Sequence, residues 1–213
     1  MFTLKPQTNV FPPVNLANNE GLLAIGGDLS FERLIEAYQN GIFPWYNEGD
    51  EILWWAPDPR MVLFPKDVKI SKSMRAFMRK SNYKITQNEA FEEVIKNCAN
   101  VSRKNTTGTW LHKEMQDAYI NLYKNDRAFS LEVWNENNQL VGGLYVVKSN
   151  DRVWSGESMF HKEANTSKLA FIHLAKLAEN NNISIIDCQQ YTDHLASLGA
   201  CEISRKEFMK YFQ

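Results

Sequence analysis

The chain has 213 residues, 44 % of them hydrophobic, and a formal net charge of −1 at pH 7. A chain of this kind can bury a sizeable core, as one domain or as a small domain joined to a medium one. The charge balance excludes a globally basic nucleic-acid coat, and the absence of any apolar run of about 18 residues argues against a membrane span.

The N-terminal sequence and the cysteines bear on the compartment. MFTLKPQTNV lacks the basic flank and apolar core of a signal peptide, so we expect a cytoplasmic protein without a membrane partner. The three cysteines, Cys98, Cys188 and Cys201, form no even disulfide framework, and neither they nor the scattered histidines have metal-ligand spacing. We therefore expect reduced thiols and no metal.

The first predicted helix lies in SFERLIEAYQN, where apolar side chains recur at helical spacing. Ser30 can cap this helix and Gly41 can end it. The aromatic segment that follows, residues 41–60, holds three of the six tryptophans of the chain. So much ring surface must either close a second small core or form the wall of a ligand site.

Prolines then indicate extended chain, and we predict a domain boundary near residue 65. The small N-terminal domain would span residues 1–65 and the main domain residues 66–213. Amphipathic helices are predicted in ISKSMRAFMRK, EAFEEVIKNCAN and LHKEMQDAYINLY.

Three strands come next, AFSLEVW, QLVGGLYVV and RVWSGESMF, separated by the turns ENN and SND, which is typical of an antiparallel meander. A helix in NTSKLAFIHLAKLAE, a short strand, ISIID, and a turn, TDHLASLGA, follow. This order is like that of acyltransferases. We predict an α+β fold with a GNAT-like mixed sheet flanked by helices and a small N-terminal α+β domain.

Asp187 and Gln189, at the exit of ISIIDCQQ, form the first candidate site. Because side chains alternate along a strand, these two should project together while Cys188 points into the core. A carboxylate beside a carboxamide can act as a relay: the acid orients the amide, and the amide oxygen accepts a hydrogen bond from a nucleophile. A satisfied polar pair at a sheet end explains the same pattern, so both interpretations stay open.

Glu157, in VWSGESMF, is the second signal, because an acid within an apolar strand must be paired or must shift its pKa. It could bind a substrate ammonium or take part in an internal salt bridge. Gly156 beside it indicates a bulge or a close backbone approach. Ser158 lacks the downstream glycine of a nucleophile elbow, so we reject a serine hydrolase.

A cationic stripe is predicted in KDVKISKSMRAFMRK, where basic residues recur every three or four positions. Its members are Lys66, Lys69, Lys72, Arg75 and Arg79. A solvated face is the simpler interpretation. Its position just after the aromatic segment also suits a nucleic-acid end, which would be held by rings and cations together.

Several motifs follow one another along almost the whole chain: GLLAIGGDLSFERLIEAYQNGIFPWY, ILWWAPDPR, GTWL, LVGGLY, GESMF, SK, IDCQ and HLASLGACEI. Together they resemble the bacterial leucyl/phenylalanyl-tRNA protein transferase family. The resemblance implies a small N-terminal domain on a GNAT-like domain. It also implies transfer of Leu, Phe or Met from aminoacyl-tRNA to acceptor proteins with N-terminal Arg or Lys, which marks them for degradation by the N-end rule pathway. No cofactor is implied.

The resemblance also implies roles for particular residues. The catalytic pair of the family falls on Asp187 and Gln189. Its hydrophobic donor pocket falls on Trp45, Trp110, Leu144, Trp154, Phe171 and Leu174, with Gly156 and Glu157 at the edge. For tRNA binding we expect Lys72, Arg75 and Arg79 of the cationic stripe. Val146, Leu174 and Ala178 depart from the family pattern, which bears on a strand bend and on the depth of the pocket.

Two alternative functions are kept. A GNAT acetyltransferase would bind acetyl-CoA, whose pyrophosphate is usually held by a glycine-rich turn at a helix start, yet FHKEANTSKLAF contains no glycine. A non-catalytic aminoacyl-tRNA binding module would keep the pocket and the cationic stripe but would have no use for the Asp187 and Gln189 pair.

Overall fold

The computed structural model describes residues 2–5, 8–100 and 110–213. The α-helices of these residues are α1 (Phe31–Gln39), α2 (Lys72–Lys80), α3 (Phe91–Ala99), α4 (Lys113–Lys124), α5 (Thr166–Asn180), α6 (Asp193–Ser197) and α7 (Arg205–Phe208). The strands are β1 (Phe2–Leu4), β2 (Leu22–Gly26), β3 (Phe43–Pro44), β4 (Leu53–Trp55), β5 (Arg60–Leu63), β6 (Lys84–Gln87), β7 (Ala128–Trp134), β8 (Leu140–Lys148), β9 (Val153–His161), β10 (Ile185–Gln189) and β11 (Cys201–Ile203).

The strands form two sheets. The small sheet has the order β1-β2-β4-β3, and the large sheet has the order β11-β5-β10-β9-β8-β7-β6. Strands β9 and β10 are parallel, whereas their other neighbours in the large sheet are antiparallel. The predicted α+β class with a mixed sheet is confirmed, as is the meander, which is β7-β8-β9.

The long periodic segments fold as predicted, because an apolar stripe fixes both the helix and the face that it buries. Helices α1, α2 and α3 lie within the segments named for them, and α4 and α5 each extend one residue beyond theirs. Helix α1 ends before Gly41, whose φ is +69°. A Cβ atom at Gly41 would lie 2.8 Å from the ring of Phe208, so both the backbone conformation and the packing favour glycine there. The segment TDHLASLGA, expected as a turn, contains the short helix α6.

The domain boundary near residue 65 stays a prediction. Strand β5, which ends at Leu63, pairs with β10 and β11 of the large sheet. A boundary drawn by sheet membership therefore lies between Trp55 and Arg60, upstream of the predicted one.

The large sheet separates two buried clusters. One face packs on α2 and α5, through side chains such as Met74 and Phe171. The other face packs on α3 and α4, and its cluster continues into the small sheet and α1. One hydrophobic core therefore joins the small N-terminal part to the main sheet, which fixes their relative position at the site described below.

The aromatic segment is partly buried in the core of the small sheet and partly exposed. Trp54 is fully buried, and its Nε1 donates a 2.9 Å hydrogen bond to the Gly26 carbonyl. Trp55 Nε1 donates to the carbonyl of Trp45, whose own side chain is 39 % exposed.

No helix within the described residues is long and apolar enough to span a bilayer.

Candidate active site

The candidate site lies where the two parallel strands β9 and β10 separate. Their last shared pair is Asp187 with Ser155. Beyond it, β9 continues alongside β8 alone, whereas β10 ends at Gln189, which pairs with Met61 of β5. Two neighbouring strands that diverge leave a wedge-shaped opening in the sheet, and the walls of this opening are the next residues of each strand.

A β-bulge lies on each strand just past the point of separation. On β9, Tyr145 pairs with Ser158 and Val146 with Gly156, which leaves Glu157 as the extra residue. On β10 the extra residue is Cys188, and Gln189 follows it with φ at +60°. Bulges bend strands and redirect side chains, so they account both for the divergence and for the polar groups that face the opening. The bulge predicted from Gly156 is confirmed.

The opening holds a pocket of about 450 Å³. Its walls come from β3, β8 and α5, from the separated ends of β9 and β10, and from α6 with the chain that leads into it. Seven residues expected at the donor pocket line it: Trp45, Trp110, Leu144, Gly156, Glu157, Phe171 and Leu174. The walls are thus mainly apolar, with a few polar groups at one end, as is usual for a small-molecule site.

A hydrogen-bonded chain runs from the catalytic candidate Gln189 to the small N-terminal part. Gln189 Nε2 donates to Glu157 Oε1 at 3.1 Å, and the Tyr119 hydroxyl donates to Glu157 Oε2 at 3.0 Å. The hydroxyls of Tyr119 (α4) and Tyr38 (α1) are 2.8 Å apart. Because its amide nitrogen is engaged in this way, Gln189 keeps its Oε1 as the acceptor available to a ligand.

This environment changes the acidity of the groups in the chain. The pKa of Glu157 is raised to about 8, mainly by burial and also by the charge of Asp187, while hydrogen bonds from Tyr38 and Tyr119 oppose the rise. Burial likewise raises the pKa of both tyrosines well above their usual value. At pH 7 the Glu157 carboxyl is therefore mostly neutral, and the inner end of the pocket carries little charge.

Asp187 lies behind the pocket, in a buried ion pair. Arg60 Nε donates to Oδ1 at 2.8 Å and Arg60 Nη2 to Oδ2 at 2.7 Å, and both side chains are almost fully buried. Ser155 Oγ and the backbone N–H of Gln189 also donate to this carboxylate, at 3.2 and 3.0 Å. Asp187 thus holds the backbone of Gln189, while Glu157 holds its side chain.

Two sequence expectations need correction. Asp187 does not project into the pocket together with Gln189, because the bulge at Cys188 breaks the strand alternation on which that expectation depended. Cys188 lies in the buried core cluster, as expected, and also lines the pocket. Burial raises the pKa of the Cys188 thiol, so it stays protonated. Trp154 is not a lining residue; it packs edge-to-face on Phe129 in the cluster that supports the pocket wall.

The departures from the family pattern also have places in the structure. Leu174 lines the pocket, whereas Ala178, one turn further along α5, is fully buried outside it. Val146 lies opposite the β9 bulge, where it pairs with Gly156. Of these three positions, Leu174 is therefore the one in direct contact with the pocket.

The cationic stripe is exposed. Lys72, Arg75 and Arg79 share one side of α2, and Met74 on the other side is buried in the core. In the described part of the chain no salt bridge engages these three cations. Lys66 and Lys69 precede the helix and are also exposed. The GTWL motif is described only from Trp110 onward, since positions 108 and 109 lie outside the described residues.

Sequence reasoning missed several residues of the site. Arg60 begins the apolar run RMVLF, a signal of the same kind as the one that singled out Glu157. Tyr38 and Tyr119 have the spacing of core residues on their helices, and that spacing does not reveal that their hydroxyls meet. His194 also lines the pocket, and burial lowers its pKa, as do the charges of Lys168 and His161, so it is neutral near pH 7.

Fold and site together define a mixed α+β protein with a mainly apolar cleft between separated parallel strands. Among solved structures, the chain aligns weakly with GNAT acetyltransferases. A GCN5-related N-acetyltransferase from Kribbella flavida aligns at 8 % identity and a TM-score of 0.44, over 79 % of this chain and 59 % of that one. A GNAT-family acetyltransferase from Staphylococcus aureus aligns at 13 % identity and a TM-score of 0.34, over 46 % and 68 % of the two chains.

Sequence comparisons identify the family. The leucyl/phenylalanyl-tRNA protein transferase profile matches residues 62–213, and the profile of its N-terminal domain matches residues 27–58. Proteins named leucyl/phenylalanyl-tRNA–protein transferase are similar to it in Christiangramia forsetii, at 51 % identity over 99 % of both chains, and in Flavobacterium johnsoniae, at 54 % over 93 % of both. The chain belongs to the leucyl/phenylalanyl-tRNA protein transferase family and is a transferase.

Proposed function

We propose that this protein transfers Leu, Phe or Met from aminoacyl-tRNA to the N-terminal Arg or Lys of acceptor proteins, which marks them for degradation by the N-end rule pathway. Family membership supports the reaction class. One structural observation carries the proposal: an apolar pocket ends at an amide oxygen, Gln189 Oε1, whose orientation is fixed by Glu157.

The main contribution of the protein to this reaction is to position the two reactants. The acceptor amine attacks the ester carbonyl carbon, a C–N bond forms, the C–O bond to the ribose breaks, and the proton lost by nitrogen goes to the ribose oxygen. An α-amine has a pKa of about 7.7–8.0, so a useful fraction is neutral near pH 7 and no strong base is needed. Well-oriented reactants reach effective molarities of roughly 10⁵–10⁸ M.

In this proposal Gln189 Oε1 accepts a hydrogen bond from the attacking amine and orients its lone pair toward the ester. The donor side chain lies against Leu144, Phe171 and Leu174. Because such a pocket discriminates single methylenes by only about 1–3 kcal/mol, we expect modest selectivity among Leu, Phe and Met.

For Glu157 we favour a role in the donor pocket over binding of the acceptor cation. A carboxyl with a pKa of about 8 is mostly neutral at pH 7, and a neutral group suits the wall of an apolar pocket better than a cation site. Through its hydrogen bond with Gln189, Glu157 also orients the side-chain amide of that residue. The exposed cations Lys72, Arg75 and Arg79 would bind tRNA phosphates without regard to sequence.

One assay tests this function against its alternatives. Labelled Leu-tRNA or Phe-tRNA is incubated with the enzyme and a protein that begins with Arg, with a protein that begins with Ala as the control acceptor. The proposal predicts label in the first acceptor and not in the second. Label only from acetyl-CoA would favour an acetyltransferase, and binding of tRNA without transfer would favour a binding module.

A further inference from the structure

We propose that Arg60 is a positioning residue of the transfer reaction, which acts through Asp187 on Gln189. This inference rests on the proposed function. Arg60 and Asp187 are each 1 % exposed and form two parallel hydrogen bonds. An ion pair so deeply buried is a weak source of stability, because the loss of hydration of both charges offsets much of their attraction. Stability alone therefore does not account for its position directly behind the pocket.

Two aromatic rings from distant parts of the chain flank the guanidinium of Arg60. Its Cζ lies 4.8 Å from the ring centre of Phe43 and 4.7 Å from that of Phe208. Phe43 belongs to β3 of the small sheet and also lines the pocket, whereas Phe208 belongs to α7 near the C-terminus. Stacking and a planar fork of donors are properties of arginine that lysine lacks, so the site uses the shape of the cation as well as its charge.

Asp187 connects Arg60 to Gln189 through hydrogen bonds to both. Its carboxylate accepts from Arg60 twice, from Ser155 Oγ and from the Gln189 N–H, so its orientation is fully determined. The N–H bond holds Gln189 at a φ of +60°, a conformation that few residues other than glycine adopt. Arg60 thereby fixes the backbone from which the amide reaches into the pocket, and Glu157 fixes the amide itself.

The test separates positioning from stability by measuring kcat and KM for Leu-tRNA in four proteins: wild type, Arg60→Lys, Gln189→Ala and the double variant. Arg60→Lys should lower kcat roughly 10- to 100-fold, since a misplacement of about 1 Å can cost that much, and should change KM little. In the Gln189→Ala background the same substitution should lower kcat less than about twofold, because residues that act as a unit are not additive.

The matched control is Arg33→Lys. Arg33 is also fully buried and bonded to a carboxylate, Asp28, but on α1 of the small N-terminal part. We expect this variant to lose thermal stability and to keep kcat. Should Arg60→Lys fail to fold, Asp187→Asn takes its place, since it keeps the size of the side chain and one acceptor oxygen and should show the same coupling to Gln189→Ala.

Two outcomes would overturn the role of Arg60 and leave the transfer function in place. One is a kcat in the double variant that is lowered by the product of the two single effects, and the other is a wild-type kcat in Arg60→Lys. In either case Arg60 would have a structural role only. Transfer absent from the wild-type enzyme would refute the proposed function, and the role of Arg60 with it.

Discussion

Gln189 donates its side-chain amide to Glu157 across the gap between the separated strands, with 3.1 Å between Nε2 and Oε1. The partner expected from the sequence, Asp187, bonds instead to the backbone N–H of Gln189 and to Arg60. Two carboxyl groups therefore hold one glutamine, one by its backbone and one by its side chain. The proposed chemistry depends on the single oxygen that this arrangement leaves toward the pocket.

Replacing Gln189 with Ala should lower kcat while tRNA binding stays close to that of the wild type. The amide oxygen orients the amine but does not hold the donor side chain, which lies against apolar walls. Turnover of labelled Leu-tRNA and filter binding of the same tRNA measure the two quantities separately. Gln87→Ala, an exposed position on the edge strand β6, is the control and should behave like the wild type. Unchanged turnover in Gln189→Ala would eliminate the relay.

Replacing Glu157 with Gln should flatten the pH dependence of stability. The pKa of Glu157 rises from 4.5 to about 8 on folding, so the folded protein keeps a proton that the unfolded chain releases. Its contribution to the free energy of unfolding is fully present below about pH 4.5 and is lost as the pH rises through about 8. Thermal unfolding measured from about pH 5 to pH 8 should show a smaller decline of Tm in the variant. Parallel curves for the two proteins would show that Glu157 does not hold this proton.

Replacing Tyr119 with Phe should destabilise the protein and disturb the site. The change removes a donor to Glu157 and one of the hydrogen-bond partners of the buried Tyr38 hydroxyl, at a cost of about 1–3 kcal/mol. Urea unfolding measures this loss. Tyr123→Phe is the control, since that hydroxyl bonds only weakly, at 3.3 Å, to a carbonyl at an exposed position. Equal stability of the two variants would contradict the hydrogen-bonded chain.

Replacing Leu174 with Phe should change donor selectivity. Leu174 lines the pocket, so a larger side chain there shortens it and should disfavour Phe relative to Leu. We expect the ratio of kcat/KM for Leu-tRNA to that for Phe-tRNA to rise about 10-fold or more, since one methylene is worth about 1–3 kcal/mol. Leu177→Phe on the same helix, outside the pocket lining, should leave the ratio unchanged. A constant ratio in Leu174→Phe would place the donor side chain elsewhere.

Neutralising Lys72, Arg75 and Arg79 together should raise KM similarly for Leu-tRNA and Phe-tRNA. It should also flatten the dependence of log KM on log salt concentration, by about 0.7 per lost single-strand phosphate contact. A control triple variant at Lys84, Lys96 and Lys113, which are exposed and engaged in salt bridges, should keep the wild-type slope. An unchanged slope in the α2 variant would leave the cationic stripe as a solvated surface.

Much of the fold follows from the sequence because it depends on periodic patterns. The helical stripes and the alternating meander specify which faces are buried, whatever the details of the packing. Short elements such as β5 carry no such pattern: Arg60–Leu63 is buried at every position and reads as extended chain after a proline. The small sheet is likewise built from strands of two to five residues.

The site was harder to predict, because it depends on departures from those patterns. Strand alternation singled out the end of β10, yet the β-bulge at Cys188 interrupts that alternation, so that Asp187 bonds to Arg60 behind the pocket while Gln189 lines it. The meeting of Tyr38 with Tyr119 joins residues that are 81 positions apart, and no local pattern encodes such a pair. Most of the pocket residues came from the family resemblance rather than from periodicity.

The most direct test is a crystal structure of the protein with a non-hydrolysable analogue of the charged tRNA end, phenylalanine joined to adenosine by an amide. We predict that the phenylalanine ring lies against Leu144, Phe171 and Leu174 and that its carbonyl carbon faces Gln189 Oε1. A ring bound outside this pocket, or a carbonyl group remote from Gln189, would contradict the proposed site.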